Sequence, residues 1–173
     1  MNQKTTPMTI PKTETARKRA VDLILEIEGP YSNDPNDPGG ETRWGVTKKY
    51  YPKIVIKNKA DAVKFYTDRW VEWQCDQLPI GVDVVFFDGC VKDGLVTTTK
   101  LLQNTLNRAY GCSLKEDGKL GIHTLQACES KPGLAFAFLI RRLQYMSSRE
   151  VWVHYGPGWT NRLMKVALHI CHA

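Results

Sequence analysis

Apolar side chains recur along most of the chain at the spacing of an α-helix. The first such run ends at Glu28, where Gly29 and Pro30 stop it, and either Thr13 or Thr15 can cap its start. Glu28 itself lies on the apolar stripe of the predicted helix. The stripe consists of Val21, Ile24, Leu25 and Glu28, widened by Leu23 and Ile27.

The same periodicity predicts six further helices and therefore an all-α fold. Asn58 is placed to cap the first of them, Gly111 to end the third, and Pro132 suits the first position of the fifth. The Gly-Pro-Gly sequence at 156–158 is expected to break the chain before the last one. The predicted helices cover residues 59–73, 82–91, 95–110, a short stretch from about 123, 132–151 and 159–170.

Residues 29–45 depart from this pattern. Four glycines and three prolines fall within this short segment, a composition that cannot pack as a regular helix. The segment therefore predicts a turn-rich loop or a short β-hairpin that starts where the Glu28 helix stops.

Length and composition predict one domain. A chain of 173 residues with 42% apolar composition can bury a single core of ordinary size. We expect residues 1–12 to be a flexible arm and residues 13–173 to form one domain. No apolar stretch approaches the roughly 20 residues that cross a bilayer, and Met1 to Pro11 shows no secretory signal, so a cytoplasmic site of synthesis is expected.

Net charge favours an anionic partner. A net charge of +6 suits nucleic acid, an acidic membrane face or a cell-wall polymer. The basic residues are dispersed among 18 acidic ones, which argues against a nucleic-acid interface. The predicted last helix, residues 159–170, is basic and amphipathic, which leaves weak contact with an anionic membrane open, although such helices more often cover a core.

Glu28 and the loop after it combine the groups that glycoside cleavage needs. An apolar stripe and a helix C-terminus both disfavour a charged carboxylate, as a general acid requires. The loop offers Asp37 and Thr42 as the preferred partners of Glu28, to orient or activate a water, and Asp34 is the rival second carboxylate. Turn formation beside Pro and Gly is the commonest use of Asp and Asn, and from the loop pattern alone it is the favoured explanation of these residues.

Aromatic and metal-binding side chains give weaker signals. Contact with a sugar is open to Tyr31 and Trp44, and packing is the alternative for each. His169 and His172 flank Cys171 at the end of the chain, without a partner cluster elsewhere, so no metal or cofactor is expected. Two further candidates for sugar contact are Tyr50 and Tyr51, whereas Trp70, Trp73, Trp152 and Trp159 are interpreted as core residues.

One long motif resembles a known family. Residues 28–47, EGPYSNDPNDPGGETRWGVT, are similar to the signature of glycoside hydrolase family 108, the N-acetylmuramidase endolysins of phages and related bacterial proteins. The likeness extends over about residues 15–165. Two positions depart from it, since Pro30 replaces the usual second glycine and Lys92 stands where asparagine is common. Further matching segments are 66–70, 78–79, 87–94, 102–103, 117–124 and 158–162.

This resemblance implies a lysozyme-like fold and a catalytic acid at Glu28. The order Glu28, Asp37, Thr42 also resembles the Glu-Asp-Thr triad of phage-type lysozymes, in which the threonine lies one residue later. Residues from about 95 to 173 resemble the family's peptidoglycan-binding region.

The implied activity is hydrolysis of the β-1,4 bond between N-acetylmuramic acid and N-acetylglucosamine in bacterial peptidoglycan, by a monomer without a cofactor. An endolysin would wait in the host cytoplasm and reach the wall through a holin-type pore. The alternative is an accessory protein that binds peptidoglycan without cleaving it.

Overall fold

The computed structural model describes residues 12–30 and 42–172. Within them, helices dominate and a single short hairpin supplies the strands, which confirms the predicted all-α fold. Strands β1 (Thr42–Arg43) and β2 (Val46–Thr47) are antiparallel, with Thr42 opposite Thr47. The helices are α1 (Lys12–Glu28), α2 (Lys59–Glu72), α3 (Val82–Asp93), α4 (Leu95–Tyr110), α5 (Ile122–Cys128), α6 (Leu134–Ser147) and α7 (Trp152–Cys171).

Helix α1 ends as the sequence predicts. Gly29 adopts a left-handed φ of 72° and its N–H donates to the carbonyl of Leu25 at 3.1 Å, which closes the last turn. The apolar stripe is buried, and Glu28, at its end, keeps 20% of its side chain exposed. The first residue of α1 is Lys12, and the rest of the predicted arm, residues 1–11, lies outside the described residues.

Helix α3 lies at the centre of the core. Every residue from Val82 to Cys90 is buried, so the helix is enclosed on all sides. It packs against α1, α4, α6 and α7. Two of its buried residues, Asp83 and Asp88, are acidic and therefore need polar partners.

Local signals place the ends of α2 and α4. Asn58 caps α2, because its side chain accepts the N–H of Asp61 while the Asp61 carboxylate accepts the N–H of Asn58. Gly111 ends α4 in the left-handed conformation. Both features agree with the predicted boundaries.

The predicted start of the fifth further helix is wrong. Helix α6 begins at Leu134 rather than Pro132, because Gly133 has a φ of 73°, which a right-handed helix excludes. It ends at Ser147, so the turn before α7 includes Val151, which the prediction had assigned to α6.

The predicted break at residues 156–158 is also wrong, because α7 continues through Pro157. A proline here removes one backbone hydrogen bond, to the carbonyl of the exposed Val153, where water can replace it. Gly156 permits close packing, since a Cβ there would lie 2.7 Å from the Trp152 ring. The hydroxyl of Thr160 donates to the Gly156 carbonyl at 2.8 Å.

The hairpin turns at Trp44 and Gly45. Both have positive φ, 47° and 76°, as a two-residue turn of the primed type requires. The Tyr66 hydroxyl donates to the Trp44 carbonyl at 2.6 Å and thereby ties the turn to α2. In the described part of the chain, no helix is both long and apolar enough to cross a membrane.

Candidate active site

A cleft of about 600 Å³ lies between the hairpin and the helical body. Its walls come from the end of α1, both strands of the hairpin, the end of α3 and the middle of α7. The lining residues are Ile27, Glu28, Thr42, Gly45, Thr47, Lys49, Tyr50, Val91, Lys92, Gly158, Trp159 and Arg162. Four segments that are distant in sequence therefore meet around Glu28.

The hairpin turn lies directly against the Glu28 carboxylate. A Cβ placed on Gly45 would come within 2.6 Å of Oε2 and 2.7 Å of Cδ of Glu28. Two features thus require glycine at this position: the backbone φ of 76° and the lack of space for a side chain. The contact fixes the position of the hairpin relative to the end of α1.

A chain of alternating charges runs from Glu28 into the core. Nη1 of Arg162 donates to Glu28 Oε1 at 2.7 Å, and Nε of the same side chain donates to Asp88 Oδ1 at 2.7 Å. The other oxygen of Asp88 forms an ion pair with Arg142 at 2.8 Å. Arg142 also donates to the Val85 carbonyl at 3.1 Å. The catalytic candidate is therefore connected to two fully buried groups, Asp88 and Arg142.

The surrounding charges favour the ionised forms of Asp88 and Arg162. Burial by itself raises the pKa of the Asp88 carboxyl, but the guanidinium groups of Arg162 and Arg142 hold it below its usual range. Burial disfavours charge on Arg162 as well, yet the carboxylates of Asp88 and Glu28 raise its pKa overall. Asp88 is fully buried with both oxygens on arginines, so it holds Arg162 and does not meet water.

Arg162 changes the expected environment of Glu28. The sequence showed two influences against a charged Glu28, the apolar stripe and the helix C-terminus. The structure adds an ion pair, in which Nη1 of Arg162 lies 2.7 Å from Oε1 of Glu28.

Tyr66, on α2, holds the hairpin turn next to Glu28. Burial, with a further contribution from the charge of Glu28, raises the pKa of the Tyr66 hydroxyl. The hydroxyl therefore remains a donor to the Trp44 carbonyl and holds the hairpin at neutral pH.

The wall facing the hairpin contains a lysine over an indole ring. Nζ of Lys92 lies 4.3 Å from the centroid of the Trp159 ring, and Tyr155 stacks on Trp159 at 5.9 Å. Burial, together with the positive charges of Arg162 and Arg149, lowers the pKa of Lys92. On the hairpin side, Lys49 lies 5.7 Å from the ring centroid of its neighbour Tyr50.

The predicted site residues fall into three groups. Glu28 and Thr42 line the cleft, and Tyr50 joins them. Trp44 lies at the hairpin turn, half-buried against the core, and does not line the described cleft, while Tyr51 packs edge-on against Phe65 at 4.9 Å. Tyr31, Asp34 and Asp37 lie outside the described residues, so their roles stay predictions.

Sequence reasoning missed the contributions of Asp88, Lys92, Trp159 and Arg162. Trp159 was interpreted as core but is half-buried at the cleft. Arg162 belongs to the predicted basic helix 159–170, but its side chain points inward to Glu28 and Asp88. An acid within the apolar run 82–90 was the available signal, because a buried carboxylate requires a cation from elsewhere.

The described residues show no group of three potential metal ligands among His, Cys, Asp and Glu side chains. His169 lies on α7, and His172 bonds the Leu168 carbonyl through Nδ1 at 2.7 Å. The C-terminal His and Cys residues thus have a local structural contact and no assembled site in this part of the chain.

The predominantly helical architecture, with a carboxylate-containing cleft beside a short hairpin, is that of a lysozyme-like fold. The model of the family Glycosyl hydrolase 108 matches residues 21–94, which supports a glycoside hydrolase and agrees with the resemblance that the 28–47 motif indicated. The matched segment contains Glu28, the hairpin and α3, whereas Trp159 and Arg162 lie beyond it.

A solved structure supports the fold over nearly the whole chain. The structure of Brucella abortus SagA superposes with a TM-score of 0.77 at 25% sequence identity, covering 92% of this chain and 95% of that one. No curated protein matches the sequence.

Proposed function

We propose that the protein is an N-acetylmuramidase that hydrolyses the β-1,4 bond between N-acetylmuramic acid and N-acetylglucosamine in bacterial peptidoglycan, with Glu28 as general acid. The observation that supports this proposal best is the position of Glu28. Among the described residues that line the cleft, it supplies the one carboxylate, and it lies within the family segment at the end of a buried helix.

In this mechanism, protonated Glu28 donates its proton to the glycosidic oxygen as the bond from that oxygen to the anomeric carbon breaks. Glu28 becomes a carboxylate in the same step, and Arg162, 2.7 Å away in the resting protein, is positioned to stabilise that charge. A water oxygen then bonds to the anomeric carbon. We assign Asp37, with Thr42, to orient or activate that water, and Asp34 is the alternative carboxylate.

The proposal is tested with Glu28→Gln on purified peptidoglycan, by measuring released reducing ends. We expect a loss of at least about 100-fold, the scale of a general acid contribution, and products that end in reducing N-acetylmuramic acid. Glu26→Gln is the matched control, because Glu26 lies on the same helix but is exposed and paired with Lys165 at 2.9 Å. Full activity of Glu28→Gln, or products ending only in reducing N-acetylglucosamine, would contradict the assignment.

The second carboxylate is assigned by comparing Asp37→Asn with Asp34→Asn in the same assay. We expect the larger loss of reducing-end release at Asp37. A larger loss at Asp34 would transfer the water-activating role to that residue.

We further propose that this activity serves host lysis, as in a phage endolysin that leaves the host cytoplasm through a holin-type pore. The alternative, a non-catalytic peptidoglycan-binding accessory protein, predicts co-sedimentation of the protein with sacculi without release of reducing ends. Weak contact of α7 with an anionic membrane stays a prediction; two of its basic side chains have partners within the chain, Arg162 with Glu28 at the cleft and Lys165 with Glu26 on the surface.

A further inference from the structure

Lys92 is distinctive in this cleft because no carboxylate of the described residues lies within ion-pair distance of it, although the charges of Asp93 and Glu28 act on it from farther away. Arg162, the neighbouring cation, has Glu28 and Asp88 as partners. Lys92 forms no ion pair within the described part of the chain, although it is half-buried and lines the same cleft as Glu28. Its ammonium group lies over the face of the Trp159 ring, with Nζ 4.3 Å from the ring centroid.

Packing holds this ammonium at a defined position. The Trp159 ring beneath Lys92 is itself held by two other aromatic rings of α7, Tyr155 at 5.9 Å and Trp152 at 6.1 Å. Lys92 lies in the last turn of α3, four residues after the buried Asp88. A half-buried cation held over an aromatic ring gains more from a carboxylate ligand than an exposed lysine does, because less water competes for it.

The position of Lys92 relative to the reacting centre follows from shared neighbours. Both Glu28 and Arg162 influence Lys92 electrostatically, and all three residues line the cleft. A ligand group that contacts Lys92 is therefore attached close to a bond held at Glu28. The substrate of the proposed activity has such groups, since muramic acid carries a lactyl carboxyl that is free in peptide-free strands and is linked to an acidic peptide in intact ones.

We propose that Lys92 is a specificity-determining residue that binds a carboxylate of the glycan beside the scissile bond, supported from behind by Trp159. This inference rests on the proposed hydrolase function. By the resemblance described above, the family commonly has asparagine at this position. A preference for an anionic glycan strand would therefore come from the lysine that this chain has instead.

The test compares wild type, Lys92→Gln and Lys92→Arg on intact peptidoglycan, on the same material with its carboxyls amidated, and on peptide-free glycan strands. On at least one of the two anionic substrates we expect Lys92→Gln to raise the apparent KM about tenfold with little change in kcat, and Lys92→Arg to restore most of the loss. At about 300 mM salt, where long-range attraction is screened, amidation is expected to weaken binding by wild type to the level of Lys92→Gln and to leave Lys92→Gln itself unaffected.

Lys131→Gln is the matched control, because Lys131 also lies over an aromatic ring, 5.8 Å from the centroid of Tyr110, but outside the cleft. It should behave as wild type on every substrate. A Lys92 effect confined to intact strands identifies a peptide carboxylate, and one confined to peptide-free strands identifies the lactyl group. An equal loss on anionic and amidated substrates, or no loss on either anionic one, would overturn the proposal.

Binding separates this inference from the proposed hydrolysis. Quenching of tryptophan fluorescence by peptide-free glycan fragments is measured in a Glu28→Gln background, with and without Lys92→Gln. If wild type cleaves nothing while the Lys92 difference in binding persists, the proposed hydrolysis fails and the carboxylate contact stands. If cleavage occurs while neither binding nor KM depends on Lys92, the contact fails alone.

Discussion

Gly45 approaches the Glu28 carboxylate more closely than a residue with a side chain could. Gly45→Ala places a methyl group 2.6 Å from Oε2 of Glu28, so either the hairpin or the carboxylate has to move. Displacement of a catalytic group by about 1 Å can cost about 100-fold in rate. We therefore expect Gly45→Ala to lose roughly that factor in reducing-end release.

A control isolates this contact from backbone strain. Gly111→Ala introduces the same kind of strain, since Gly111 has a φ of 66°, but nothing lies within 4 Å of its added Cβ. Both variants should lose about 1 to 2 kcal/mol in denaturant unfolding, and only Gly45→Ala should lose activity. Equal activity in the two variants would show that the carboxylate tolerates the methyl group.

At the scale of one element, α3 contains two buried acids with opposite responses to pH. Burial raises the pKa of Asp83 to about 6, although its carboxylate accepts backbone N–H groups of Gly81 and Val84 at 2.8 and 2.7 Å. The pKa of Asp88 is instead lowered, because two arginines outweigh its burial. Ionisation of Asp83 therefore destabilises the fold, and ionisation of Asp88 stabilises it.

Asp83→Asn tests the sign of this effect. The folded protein holds the Asp83 proton up to about pH 6 and the unfolded chain only to 3.8, so stability falls as pH rises between these values. Asparagine keeps the acceptor oxygen without the charge. We expect the variant to match wild type near pH 4 and to exceed it by up to about 3 kcal/mol at pH 7.5.

Urea unfolding at pH 4, 5, 6 and 7.5 measures this difference directly. Asp88→Asn is the opposite control, expected to lose about 3 to 5 kcal/mol at neutral pH because Arg142 and Arg162 are left without their shared carboxylate. A constant penalty of Asp83→Asn at all four pH values would show that packing, not ionisation, dominates at this position.

Local chemistry explains which elements the sequence predicted well. Asn58, Gly29 and Gly111 act within one helical turn, so their effect is visible in a short window. Continuation of α7 through Pro157 depends on tertiary packing of this helix against α6, α3 and α1, which no short stretch of sequence shows. The same distinction separates Glu28, which helical phase and a motif indicated, from its partner Arg162, 134 residues away.

At the scale of the whole molecule, α7 contacts both the middle and the end of the first helix. Arg162 pairs with Glu28, Lys165 with Glu26, and the side chain of Arg19 donates to the His172 carbonyl. The predicted single domain over residues 13–173, with a binding region from about 95, stays a prediction. The contacts of α7 nevertheless show that the segment beyond residue 95 completes the site rather than only flanking it.

The net charge of +6 predicts how this molecule meets its proposed substrate. A positive protein is drawn to an anionic polymer, and salt weakens that attraction once the screening length falls below about 10 Å, near 0.1 M ionic strength. We expect kcat/KM on intact peptidoglycan to fall about tenfold between roughly 20 and 300 mM salt, mainly through association. On carboxyl-amidated peptidoglycan the same salt range should change the rate little, because the polymer no longer attracts the protein. An equally steep salt response on both substrates would place the effect in the protein itself, for example in the Arg162 ion pairs, and the two explanations are separated by measuring thermal unfolding across the same range.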